Sequence, residues 1–200
     1  IAIIAQNITA VNSFRKLGFS DFRLSATLAA AASVGAFAGA MVGVELDGEW
    51  FNRVVAFTMV AVMILMLTGR DKNRSELDAS AKAKNLALGH ILFVGAGFWG
   101  GFIQIGVGFL MMPILYRVMG LDLVRVNMHK VFIALIFSVV ALAVFASKVD
   151  IAWQAGAALA AGNAIGGVWG AHSTVRAGAP LIKLVFALVI AAMAVKLLFF

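Results

Sequence analysis

The sequence predicts an all-α, polytopic helical membrane protein made of two inverted repeats, each a glycine-broken re-entrant hairpin followed by three transmembrane helices. Three observations predict it. Composition is the first: 63% hydrophobic and 12% charged residues, with a mean hydropathy of +1.02, do not describe a water-soluble chain. The second is an apolar stretch over 86–119 interrupted in its middle by glycines, and the third is a repeat of small residues at constant offset.

Strands of a barrel would alternate polar and apolar residues every second position, and these apolar runs do not. The formal charge of +7 is the excess of sixteen Lys and Arg over nine Asp and Glu, and the basic residues lie mostly in short connectors. It reads as bilayer orientation and not as a nucleic-acid face. With no Cys there is no disulfide, thiolate nucleophile or Cys-ligated metal.

Taken in order, the first repeat covers residues 1–69. Residues 1–14 form the remaining part of a first span, with Arg15, Lys16, Asp21 and Arg23 in the connector after it. An Ala/Gly-rich span follows at 24–44, an acidic turn at Glu45, Asp47, Gly48 and Glu49, and a returning span at 51–69. The runs at 24–44 and 51–69 are about 20 residues each, enough for roughly 30 Å of hydrocarbon. Residues 70–85 are a hydrophilic, cytoplasmic linker.

The second repeat, 86–200, opens with the broken segment. Gly95, Gly97, Gly100, Gly101, Gly106 and Gly108 fall within fourteen positions, and Pro113 follows. Such a density makes an uninterrupted helix improbable. In hydrocarbon, non-helical backbone survives only where protein or a wet cavity satisfies it, so a broken apolar segment points to a buried polar site. Residues 86–117 are too few for two full spans and are expected to enter and leave on one face. Spans follow at about 128–147, 151–172 and 180–200.

Gly35, Gly39 and Gly43 match Gly162, Gly166 and Gly170 at an offset of 127, while Asp21 matches Asp150 and Phe57 matches Phe186 at 129. Glycines at every fourth position let neighbouring backbones approach closely. Lys and Arg placement puts equivalent connectors on opposite sides of the bilayer, hence inverted repeats. By the same repeat, about 45 residues carrying an equivalent hairpin are expected upstream of Ile1.

All nine carboxylates fall in connectors. That suits an anion or neutral solute better than a cation, and it argues against a membrane enzyme, as do three scattered His residues. No catalytic residue, metal or cofactor is assigned. The candidate substrate site is the start of the second half-helix, roughly 105–117, whose free amides and positive dipole end face a cavity. Gly100, Gly101, Gly106 and Gly108 let amides approach an anion, or serve only packing, and Gln104 supplies a side-chain donor. Gln6 and Asn7 on the first span, and Asn163 in the repeated stripe, fit substrate contact and interhelical hydrogen bonding equally. Asn127, His129 and Lys130 fit a gate at the cytoplasmic mouth or a plain interfacial cluster.

The run Gly97-Phe98-Trp99-Gly100-Gly101-Phe102-Ile103-Gln104-Ile105-Gly106-Val107-Gly108 leading to Pro113, then Gly120-Leu121-Asp122-Leu123-Val124-Arg125-Val126-Asn127-Met128-His129-Lys130-Val131, resembles the sulfite exporter TauE/SafE family of membrane permeases. The resemblance implies a multi-pass inner-membrane carrier of small sulfur-containing anions, sulfite or organosulfonates. Export by alternating access is the expected function, with an uptake permease or passive anion channel as alternatives. Its partners are then the anion and the lipid bilayer, without nucleic acid; a homodimer is admissible.

Overall fold

A computed structural model of the chain describes residues 1–18, 21–45, 53–54, 57 and 83–173. The expected spans at 51–69 and 180–200, and most of the linker 70–85, lie outside the described residues. Regular structure among the described residues is helical: α1 (Ala2–Lys16), α2 (Phe22–Glu45), α3 (Leu86–Phe102), α4 (Val107–Pro113) with a π turn at Ile114–Val118, α5 (Leu123–Lys148) and α6, residues 153–173. Two of these, α2 with 24 residues and α5 with 26, are long and apolar enough to cross a membrane.

Helix α5 begins five residues before the sequence suggests. Asp122 is the cause: its Oδ1 accepts the backbone amides of Val124 (2.9 Å) and Arg125 (3.1 Å), satisfying two donors that a helix start leaves open. Arg125 therefore belongs to the first turn of a helix and not to a connector.

Segment 84–119 folds back on itself. The amide of Lys84 donates to the carbonyl of Met119 (2.9 Å), and the side-chain amide of Asn85 donates to the carbonyl of Val118 (3.0 Å). Between these joined ends, α3 runs out, the helix stops over 103–106, and α4 returns. The return is shorter and less regular than a helix over 105–117. Pro113 has no amide to donate and its ring crowds the preceding turn, so the ladder re-forms with wider π spacing just beyond it.

Small residues set how closely α3 meets α2. A Cβ at Gly35 or Gly39 would fall on the carbonyl oxygen of Val94 or Phe98, and one at Gly43 would come within 2.9 Å of that of Phe102. In return, Gly97 and Gly101 lie against the carbonyls of Ala32 and Ala36. The two backbones thus interlock over about three turns with no side chain between them, the packing available where lipid removes the hydrophobic drive between helices. Phe137 from α5 fills the notch at Gly100, and Leu28, Phe93, Met111, Leu115, Met119 and Ile133 complete the buried core.

Contacts along α5 fix the helix directions. Ser25 meets His129 near the start of α5 and Gly43 meets Phe145 near its end, so α2 and α5 run parallel. Ala10 and Phe14 cluster with Met128, while Ile1 shares a cavity with Phe145, so α1 runs antiparallel to α5. Helix α6 starts beside Ile1 at Gly156 and ends with Ala171 beside Ala10, parallel to α1. Thr9 Oγ1 donates to the carbonyl of Ala164 (2.9 Å), and Gly167 takes the backbone of Gln6 against it.

The reciprocal glycines predict their own mutational pattern. Gly97→Ala and Gly101→Ala place a methyl on a backbone carbonyl, which cannot move away as a side chain can, and each is expected to destabilise by about 1–3 kcal/mol. Gly95→Ala meets open space and gains up to about 1 kcal/mol of helix propensity. Thermal unfolding in detergent compares the three; equal shifts would refute close contact of the helices through Gly97 and Gly101.

Candidate functional site

The helix break is held by specific contacts. Trp99, on the last full turn of α3, donates its indole N–H to the carbonyl of Ile105 (3.1 Å), and its own carbonyl accepts the amides of Ile103 (3.0 Å) and Gln104 (3.3 Å). Two left-handed residues make the turn, Gln104 at φ 64° and Gly106 at φ 75°. For glycine the conformation is free, whereas for glutamine it costs about 1–2 kcal/mol. The Gln104 side chain offsets this by donating to Ser138 Oγ (2.6 Å). Ser138 is buried in α5, where its hydroxyl would otherwise lack that partner.

A cavity of about 330 Å³ opens beside the break, between α1, α4, α5 and α6. Gln6 and Asn7 reach it from α1, Gly108 from α4, and Asn127 and Lys130 from α5. Apolar residues and the glycines of α6 complete the wall, and no carboxylate lines it. Asn127 and Lys130 are three residues apart on one helix and so point the same way. Asn7 is buried, yet neither it nor Gln6, Asn127 or Lys130 makes a side-chain hydrogen bond among the described residues. Four donor-bearing side chains therefore line one space without hydrogen-bonding to each other, and their donors stay available to whatever occupies it.

The other sequence candidates lie elsewhere. Asn163 lines a neighbouring cavity with Gln6, while its side chain donates to Leu159 of its own helix (3.0 Å). Gln104 faces a separate cavity of about 350 Å³ with Ser138, nearer the far end of α5. Gly100 and Gly101 are used in packing against Phe137 and Ala36, and Gly106 in the turn. His129 points away from the cavity, its Nδ1 2.8 Å from Ser25 Oγ on α2. Trp99 and Ser138 were legible only as an aromatic and a mid-span hydroxyl; the signal that pairs them with the break is its length, which leaves the 103–106 backbone in need of partners.

The family described as sulfite exporter TauE/SafE matches the chain over residues 1–197. The chain belongs to the TauE/SafE family. A similar protein is the "Probable membrane transporter protein ORF9" of Sinorhizobium sp., 22% identical over 190 residues, which covers 95% of this chain and 72% of that one. No solved structure matches. This TauE/SafE chain is thus a helical membrane transporter. Among the described residues, no group of three or more His, Asp or Glu side chains is placed to hold a metal.

Substitutions at the break separate its two constraints. Gln104→Leu keeps the left-handed backbone cost and leaves the Ser138 hydroxyl without its donor, an expected loss of about 1–3 kcal/mol. Gln104→Gly also loses the donor but relieves the backbone by about 1 kcal/mol. The glycine variant should therefore melt above the leucine variant in detergent. A leucine variant as stable as wild type would mean that the Ser138 contact does not hold the turn.

Proposed function

We propose that the chain carries a small sulfur-containing anion, sulfite or an organosulfonate, out of the cell by alternating access, through the cavity that Gln6, Asn7, Gly108, Asn127 and Lys130 line. The observation that carries this reading is the convergence of three carboxamides and one ammonium on a space without a carboxylate. Its volume of about 330 Å³ lies at the small end of ligand pockets, roughly 300–1,000 Å³, as a sulfur oxyanion with some water requires. Lys130 supplies the charge, and the amides supply donors to the oxygens around it. Nothing in this arrangement offers a nucleophile with its base, which fits carriage and not catalysis.

An inverted repeat in the cytoplasmic membrane is the architecture that goes with this function. It is supported by direction: α1 and α5 fall in equivalent places of the sequence repeat and run antiparallel, as do α2 and α6. Ala40 of α2 packs with Ala141 of α5, and Gly167 of α6, which follows Ala40 by the glycine-stripe offset of 127, packs on α1. A carrier built this way exposes its central site to one face at a time by rocking one repeat on the other. Export needs no further energy source than voltage, since moving one charge through 100 mV is worth about 2.3 kcal/mol.

Purified protein in liposomes tests both parts. Lys130→Gln and Asn127→Leu should each weaken sulfite-dependent thermal stabilisation about tenfold or more in apparent affinity, the effect of losing a hydrogen bond to a charged ligand. Unchanged sulfite affinity in Lys130→Gln would remove the cavity as the site. Sulfite efflux should rise when the potential is made positive at the face it leaves toward; flux indifferent to reversal of the potential would reject voltage-driven export. Unitary conductance in a planar bilayer would favour the channel reading instead.

A further inference from the structure

Two cavities lie one beyond the other along the same helix faces. Asn127, Lys130, Val131 and Ala134 of α5 border the cavity described above. Ser138, Ala141, Leu142 and Phe145 continue that stripe at helical spacing and border the second, of about 350 Å³. Lys130 and Ser138 are thus about 12 Å apart along the helix axis. Helix α1 follows the same division in reverse, with Gln6, Asn7 and Ala10 at the first cavity and Ile1, Ala2 and Ile4 at the second. One side chain, Ile3, borders both. It is 40% exposed, so no packed neighbour locks it in place.

No Lys, Arg, Asp or Glu side chain lines the second cavity, and its polar side chains are Gln104 and Ser138. The hydroxyls of Thr9, Ser25 and Ser147 each donate to a carbonyl one turn back on their own helix. Ser138, only 4% exposed, makes no such bond among the described residues. Its oxygen accepts from the Gln104 amide, and its own hydrogen is left for whatever occupies the cavity. Were the carboxamide turned over, Ser138 would donate to its oxygen and both amide hydrogens would be free, so a donor remains in either arrangement. Gln104 also holds a left-handed backbone, φ 64°, that glycine would hold without strain. The residue at this turn is thus kept for its side chain, and that side chain ends in the second cavity.

We propose that Gln104 and Ser138 form a second anion station beyond the Lys130 cavity, and that Ile3 is the barrier the anion passes between the two. A guest there receives the Ser138 O–H and the Gln104 amide hydrogen that Ser138 does not use. Neutral donors hold an anion less tightly than an ammonium does. The second station therefore takes the anion from Lys130 without trapping it, as a site on the way out must. The anion and its movement rest on the function proposed above, whereas the separation of the two spaces by Ile3 does not.

The barrier is tested without any transport. The chain has no Cys, so single thiols can be introduced as Val131→Cys in the first cavity and Leu142→Cys in the second. Each is offered sulfonatoethyl methanethiosulfonate, an anionic reagent that does not cross lipid, from one face of oriented proteoliposomes at a time. From the face where α5 ends, Leu142→Cys should react and Val131→Cys should not; from the face where α5 begins, the order should reverse. Adding Ile3→Ala should remove this difference between the faces. Equal labelling of the two thiols from either face, labelling of neither, or a pattern that Ile3→Ala leaves unchanged overturns the barrier.

The station is tested by the flux of radiolabelled sulfite at zero potential, measured from each face in wild type, Ser138→Ala and Ser138→Thr. Ser138→Ala removes one hydrogen bond to a charged guest, so half-saturating sulfite offered from the face where α5 ends should rise about tenfold or more. From the face where α5 begins, half-saturation should stay as in wild type and the maximal rate should fall instead. A carrier does not displace the equilibrium, so the two effects must match. Ser138→Thr keeps the hydroxyl and should restore both. A variant that is merely destabilised lowers the maximal rate from both faces alike; that result, or an unchanged half-saturation from the face where α5 ends, overturns the station. Sulfite flux absent from wild type removes the proposed substrate and the station with it, while the labelling result still decides the barrier.

Discussion

The structure depends on one constraint: a polypeptide that leaves its helix inside an apolar layer must find a partner for each peptide group it frees. The break at 103–106 meets this locally. The indole of Trp99 takes the carbonyl of Ile105, the Trp99 carbonyl takes two amides, and Gln104 ties the turn to α5 through Ser138. Because these partners come from α3 and α5, the turn is fixed only when both are in place. The glycine contacts between α2 and α3 supply that placement, since a backbone-to-backbone fit admits far less sliding than a layer of flexible side chains. Close packing and the broken helix are therefore one design: the first holds the frame that makes the second affordable.

With the turn anchored, the space beside it keeps its shape. The four donor-bearing side chains around the cavity come from α1 and α5, which run antiparallel. Neither helix alone could surround a small ion. A cavity shared by two helices changes shape with their relative motion, the property that a carrier needs and a rigid binding protein does not. The width of that cavity is set by the way α1 leans on α6 through small residues such as Gly167.

Much of this was written in the sequence, unevenly. Six glycines in fourteen positions announce a broken helix because no tertiary contact easily restores that much lost propensity, and the break lies among them. The spacing of Gly35, Gly39 and Gly43 announces a close neighbour, and α3 is that neighbour. Less legible was what depends on a single side chain meeting a distant one. Asp122 looks like a connector residue until its carboxylate is seen capping α5, and the π turn after Pro113 follows from a local adjustment with no compositional mark. Gly100 and Gly101 carry packing at the positions where an anion cradle was expected, because a glycine's freedom serves both uses and sequence does not say which.

The group Asn127, His129 and Lys130 shows the limit most clearly. As a string it reads as one polar cluster at a membrane face. On a helix turning about 100° per residue, Asn127 and Lys130 share a side, whereas His129 joins Arg125 one turn earlier and Asp122 two turns earlier on another. The structure uses that division: one side of α5 faces the cavity, the other faces Ser25 and Asp21. The first side meets the cavity and the second meets the packing between α2 and α5, so polar residues that are neighbours in the string serve two different surroundings.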